Sequence, residues 1–237
     1  MSKARSPAAT AAIAVTGIAV VVTLLALGTW QVQRLAWKRE LIAQVDARLE
    51  AKPVPAPIAV RPDDAYRRIT ATGVFAPGRD SFVQASTVRG PGWWVITPLR
   101  TAEGRFILIN RGYVPARTAP PPASDQISVT GLLRLTEPGG GFLRSNDPAA
   151  DRWYSRDVAA IAARRGLGAS APYFIDADAD ADASATIPNA PVAGLTVVRF
   201  PNNHLAYAIT WFILAGMAIA GLIYWIAAAR HGTDPHK

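Results

Sequence analysis

The chain has 237 residues, half of them hydrophobic, with a mean hydropathy of +0.15 and a formal net charge of +8. That length suits one ordinary domain plus membrane anchors. The positive charges are scattered and form no dense basic run, which argues against nucleic acid as a partner. With no cysteine, disulfides, iron–sulfur clusters and thiol chemistry are excluded.

The apolar residues gather at the two ends. From Ala8 to Leu27 no side chain is charged, nor is any from Leu205 to Ala229. A helix rises about 1.5 Å per residue, so about 20 apolar residues cross a hydrocarbon layer of roughly 30 Å. Transmembrane helices are therefore expected over residues 8–28 and 205–229. Lys3 and Arg5 before the first run resemble a secretory signal, and Ala26-Leu27-Gly28 a cleavage site. The run outlasts the roughly 7–15 apolar residues of a signal peptide, so a retained helix is the expectation. Flanking charges do not settle orientation: Lys3 and Arg5 stand on one side, Arg34, Lys38 and Arg39 on the other. Long translocated domains largely escape that rule, and both termini are placed in the cytoplasm.

After the first span, Leu27, Trp30, Leu41, Val45 and Leu49 recur near helical spacing with no Pro or Gly from Thr29 to Lys52. A helical extension over 29–52 follows. Pro53, Pro55 and Pro57 then impose an extended linker. The region 53–203 reads as an extramembrane β-rich domain. Strands are expected over Tyr66–Phe75, Phe82–Val88, Trp93–Leu99, Arg105–Val114, Ile127–Leu135, Tyr173–Asp176 and Leu195–Phe200. Thr101-Ala102-Glu103-Gly104 marks a hairpin. Arg156–Arg165 reads as a helix capped by Ser155 and stopped by Gly166. The fold class is thus two transmembrane α-helices flanking a mainly antiparallel β (α+β) domain, sandwich-like or barrel-like. Asp and Ala alternate from Asp176 to Asp182. A calcium loop would need Gly and Glu where Ala181 and Ile187 stand, so the run reads as an exposed acidic loop. Gly139-Gly140-Gly141 lacks the Lys-Ser/Thr of a phosphate loop and reads as a flexible turn.

The three histidines are His204, His231 and His236, none of them within the β-rich region before residue 204. Ser–His–Asp, Cys–His and histidine-zinc chemistry therefore cannot be built there, and a binding protein is favoured over an enzyme. His204 stands where the second helix begins, after Asn203 as N-cap. Tyr207, Ala208 and Trp211 follow at i+3, i+4 and i+7, a face that suits a flat, greasy cofactor. The competing reading is an interfacial histidine that caps or snorkels. Trp30, Tyr224 and Trp225 read as aromatic-belt anchors.

Four segments together resemble the surfeit locus protein 1 (Shy-type) family of cytochrome c oxidase assembly factors. They are Leu27-Gly28-Thr29-Trp30-Gln31-Val32-Gln33-Arg34; Tyr66-Arg67-Arg68-Ile69 leading to Gly73-Val74-Phe75; Thr97-Pro98-Leu99 with Ile107 to Pro115; and Asn202-Asn203-His204 to Phe212. Their order covers nearly the whole chain; Tyr113 stands where the family usually has Trp. The resemblance implies a multi-pass protein of the bacterial inner membrane with a periplasmic domain, or of the mitochondrial inner membrane. It implies binding of haem a as transient cargo and its delivery to, or insertion into, cytochrome c oxidase subunit I. The implied partners are that subunit, haem a synthase and the lipid bilayer. His204 is then the implied axial ligand of the haem iron, with Tyr207 and Trp211 on its helix face. Beside the resemblance, Arg34 and Arg199 near the outer ends of the spans are the cations expected to pair with the propionates, the alternative being that both snorkel to the headgroups. The alternative is a membrane scaffold that stabilises oxidase assembly intermediates without touching haem.

Overall fold

The computed structural model describes residues 7–179, 188–196, 198 and 200–231. It divides into two compact units: a helical one built from the two ends of the chain, and a β unit spanning Gln44–Val198. Two apolar helices flanking an α+β domain is the architecture expected of a two-span membrane protein.

In the helical unit, α1 (Pro7–Glu50) and α3 (His204–His231) are the long elements. Both contain stretches long and apolar enough to cross a membrane. Most of their apolar side chains face outward, as those of Val15, Ile18, Val22, Ile213 and Met217 do. That suits a lipid surround, where outward apolar groups carry no hydration cost. Thr23, Thr29 and Thr210 turn their hydroxyls back to the carbonyls of Ala19, Leu25 and Ala206 at 2.8–2.9 Å, so those three hydroxyls are not left bare.

The β unit is built from β1 (Val54–Pro55), β2 (Arg68–Phe75), β3 (Ser81–Thr87), β4 (Gly90–Thr101), β5 (Phe106–Val114), β6 (Ile127–Leu135) and β9 (Ser170–Ala177). A small hairpin of β7 (Gly140–Gly141) and β8 (Arg144–Ser145) and the helix α2 (Val158–Arg164) complete it. The main sheet runs β1-β2-β6-β9-β5-β4-β3, and β2 also pairs with β4. That last pairing, Gly73–Phe75 against Leu99–Thr101, closes β2, β6, β9, β5 and β4 into a barrel. The sheet is mixed, because β5 and β9 run parallel.

Alternation of side chains splits the apolar residues between two cores. Ile69, Ala71, Phe75, Leu99, Ile107, Ile109, Val129, Leu133, Tyr173 and Ile175 form one cluster. Leu108 and Phe174, one residue out of phase, join Val83, Ile96, Trp153 and the α2 residues Val158, Ile161 and Ala162 in the second. Strand β5 therefore buries both its faces, which is why its first four residues, Phe106 to Ile109, read as an unbroken apolar run.

The stretch Asn110-Arg111-Gly112-Tyr113 is where β5 bulges. Opposite it, Val95 pairs with Gly112 but Ile96 with Asn110, leaving Arg111 as the extra residue. Asn110 Oδ1 accepts from Gly112 N at 3.2 Å, and Asn110 Nδ2 donates to Asp176 Oδ1 at 2.7 Å. Tyr113 exchanges both backbone hydrogen bonds with Val192 at 2.9 Å. Gly112 has φ +130, and a Cβ there would lie 2.3 Å from the Val192 carbonyl carbon. Only glycine fits.

Several sequence expectations are corrected. No strand forms among the described residues of 195–200: after the Val192 bridge the chain finds no further sheet edge. Helix α2 begins later than expected, with Asp157 as its cap accepting from Ala160 N at 3.1 Å. Ser155 is instead drawn to the Glu137 carbonyl at 2.6 Å, and Arg156 to carboxylates. Gly140 and Gly141 form a strand of the small hairpin. Asp176 is buried, not loop-exposed: Arg134 and Arg156 reach its carboxylate at 2.7 and 3.3 Å, and Glu137 neutralises the second cation. Asp178 pairs with Arg68. Asp180 and Asp182 lie outside the described residues.

Asp151 ties the C-terminal side of α2 to its surroundings. It accepts from Arg165 at 2.6 Å, Trp153 Nε1 at 2.8 Å and Arg117 at 3.1 Å. Burial pushes its carboxyl up, but those hydrogen bonds and the charges of Arg165 and Arg117 outweigh burial and hold it below its ordinary value. A depressed carboxylate contributes stability above the unfolded pKa of about 3.9, lost as pH falls through the folded value. Asp151→Asn should therefore lower the unfolding midpoint at neutral pH by the equivalent of about 1 kcal/mol, with the gap to wild type closing in thermal melts as pH falls below the unfolded pKa and through the folded one. Gly112→Ala should cost about 3 kcal/mol or more at any pH, measured the same way.

Candidate functional site

The helical unit carries the candidate site because its seam carries the histidine. In α1 the more buried positions are 10, 14, 17, 21, 24, 28, 31 and 35, in alternating steps of four and three. In α3 they are 204, 208, 211, 215, 218 and 222, with the same steps. This is the pattern of two helices packed at a shallow angle along a heptad seam. The pair is antiparallel: Gly17 meets Leu222, Gly28 meets Phe212, and Gln31 meets His204. Small residues allow the approach. A Cβ on Gly28 would sit 2.7 Å from the Phe212 ring, and Ala208 and Ala215 are 2% and 1% exposed.

His204 is the first residue of α3, and the Tyr207 N–H donates to the Asn203 carbonyl at 3.2 Å, which makes Asn203 the N-cap position. The half-buried His204 ring points into the seam, where Nδ1 lies 2.7 Å from Gln31 Oε1. Gln31 is buried. An amide oxygen only accepts, so in the neutral ring Nδ1 carries the proton and Nε2 keeps its lone pair. A lone pair on Nε2, backed by an acceptor on Nδ1–H, is the arrangement in which histidine ligates a metal.

The other expected residues separate. Trp211 shares the seam with His204, one heptad along, and is half-buried. Tyr207 falls on an exposed flank of α3 at 55% accessibility. The i+3 spacing that placed it beside His204 also turns it 60° off the seam line. Arg34 is exposed, one turn beyond Gln31, with its guanidinium 4.0 Å from the Trp37 ring centroid. Lys38 stacks similarly on Phe200 at 5.6 Å. Arg199 lies outside the described residues. Nearby, Asn202 Oδ1 is buried with no hydrogen-bond partner among the described residues. Gln31 was not singled out from sequence. Its signal was present: a polar residue three after Gly28 and four before Leu35, on the small-residue stripe.

Comparison with known proteins agrees with the motif order. The SURF1 family matches residues 18–216, most of the chain and both arms of the seam at His204. The chain belongs to the SURF1 family. It is 34% identical to Surfeit locus protein 1 of Rattus norvegicus, over 86% of this chain and 71% of that protein. It is 32% identical to the Homo sapiens protein of the same name, covering 90% and 76%. A SURF1-like protein of Monosiga brevicollis is 34% identical over 91% and 87%.

The absence of native cysteine makes the seam directly testable. Gly17→Cys with Leu222→Cys should cross-link readily in membranes under mild oxidant, because a Cβ on Gly17 would lie against the Leu222 side chain. Val20→Cys with Leu222→Cys should not, since Val20 faces outward.

Proposed function

We propose that this protein is an assembly factor for cytochrome c oxidase that binds haem a at the membrane and assists its delivery to subunit I. The observation that carries the reading is His204, held in the α1–α3 seam by Gln31 with Nε2 available to iron. Haem a suits the donor set. One neutral imidazole supplies one axial bond, and a site built on apolar helices shelters a long hydrocarbon tail from water. Arg34, whose guanidinium makes no ion pair among the described residues, is a cation for a propionate. Asn202 Oδ1 is a buried acceptor in want of a donor, and haem a carries a hydroxyl on its side chain. Trp211 offers a flat apolar face in the same seam. Bound haem would bring iron that accepts the His204 lone pair. A single protein ligand also suits a cargo that must be released, since each ligand bond has to be broken on transfer.

Membership of the SURF1 family supports the assembly role, and the two apolar helices support residence in a membrane. In this reading the β unit lies on the periplasmic or intermembrane-space side, and oxidase subunit I and haem a synthase are the protein partners. The chemistry is binding and hand-over rather than catalysis.

The test is co-expression of the full chain with haem a synthesis, followed by the haem-to-protein ratio of the purified protein. His204→Ala should lower that ratio to about a tenth or less of wild type. An unchanged ratio, or a wild-type protein that carries no haem, leaves a scaffold that holds assembly intermediates without cargo.

A further inference from the structure

We propose that Gln31 is a positioning residue that fixes His204 in its Nδ1–H tautomer and so presents Nε2 as the ligand atom; its use toward iron rests on the haem reading above. Free neutral imidazole favours the opposite tautomer, with the proton on Nε2. A histidine left to itself at the start of α3 would therefore mostly offer the wrong nitrogen, or the right one in the wrong orientation.

Three observations in the seam oppose that default. The Nδ1–Oε1 distance of 2.7 Å is short for a nitrogen–oxygen hydrogen bond, so the contact is well formed. Gln31 is 9% exposed, so water competes poorly for its carbonyl oxygen. Close helix approach at Gly28, one turn from Gln31, fixes the spacing at which the amide can reach across. A long flexible side chain is thereby held in one geometry by packing on the seam line, between Gly28 and Leu35.

The amide also fixes direction. Its oxygen toward the ring gives Nδ1–H and a bare Nε2. The reversed amide would place an N–H against Nδ1, drive the proton to Nε2 and block metal ligation there. Gln31 therefore works as a directional switch on which nitrogen is exposed, in the way a carbonyl or carboxylate orients metal-binding histidines elsewhere. It lies on the other helix from its target, so the ligand is complete only when α1 and α3 are paired.

The experiment reads the ring itself. Full-length protein with 15N-labelled histidine, in lipid nanodiscs at about pH 9 where imidazoles are neutral, gives distinct Nδ1 and Nε2 shifts for the two tautomers. The His204 signals are those that His204→Ala removes. Wild type should show protonated Nδ1 and unprotonated Nε2. Gln31→Leu should move the ring to a majority of Nε2–H, and Gln31→Glu, which keeps an acceptor, should restore the wild-type pattern. In the haem co-expression assay Gln31→Leu should retain about 10- to 100-fold less tightly bound haem, and Gln31→Glu should recover it. An Nε2–H ring in wild type, or identical ring shifts and haem retention in wild type and Gln31→Leu, overturns the proposal. Unchanged haem retention in His204→Ala strikes the haem reading alone, because the ring shifts are read without haem.

Discussion

The contact on which the candidate site depends is the pairing of two apolar helices along a stripe of small residues. In lipid there is no hydrophobic force between helices, since acyl chains are as apolar as leucine. Association must come from close packing and from polar groups that meet only when the helices are together. Gly17, Gly28, Ala208 and Ala215 supply the first, and Gln31 with His204 the second. Apart, each of those two side chains would leave polar atoms bare on an apolar surface, at about 1–3 kcal/mol each. Paired, one hydrogen bond joins the Gln31 oxygen to His204 Nδ1. The histidine that the family motif places at the head of the second helix is thus also part of what aligns that helix with the first. Its ligand atom is left outside that bond.

The β unit answers a different problem. Five strands close into a barrel that leaves no edge between β2 and β4, and short flanking strands and α2 cover the outer face. The buried carboxylate of Asp176 sits among Arg134, Arg156 and Asn110, with Glu137 returning the charge to balance. Burial would depress the Arg156 guanidinium, but the Asp176 and Glu137 carboxylates outweigh it and hold its pKa above the ordinary value. Such a cluster costs desolvation that its internal attraction roughly offsets, and breaking it by removing one partner is expensive, about 3–5 kcal/mol. It links β5, β6, β9 and the residue before the α2 cap, fixing which way the strands register.

Much of this was legible because the period of the apolar residues carries it. The membrane-crossing helices follow from uncharged runs, and β2 through β6 from alternation bounded by Gly and Pro. The misses have local causes. Leu195–Phe200 has strand-forming residues, but its described residues pair with no strand, a tertiary fact that composition does not encode. Ser155 and Asp157 are both good caps, and only the pull of Glu137 on Ser155 and Arg156 decides between them. Asp176 looked like the start of an acidic loop because its partners lie 42 and 20 residues away. At the site, helical spacing alone puts Tyr207 near His204. The seam line, which steps by three and four toward Ala208 and Trp211, excludes it. Laying that line on α1 from Gly28 would have found Gln31.

Where the chain keeps ligand chemistry uncommitted follows from these two halves. The most buried carboxylate of the barrel is saturated by two guanidiniums and an amide. The sequence supplies the barrel with neither His nor Cys, so no soft or borderline metal donor lies among its strands. The polar stretch of β5 within the third family-like segment, Asn110 to Tyr113, is spent on a bulge and on two backbone bonds to Val192. The helical unit differs: His204 commits one ring nitrogen to Gln31 and holds the other back, and Asn202 keeps a buried oxygen with no donor among the described residues. A ring nitrogen held back in this way has its geometry set by the protein itself. In this chain the α1–α3 seam does that with one buried amide.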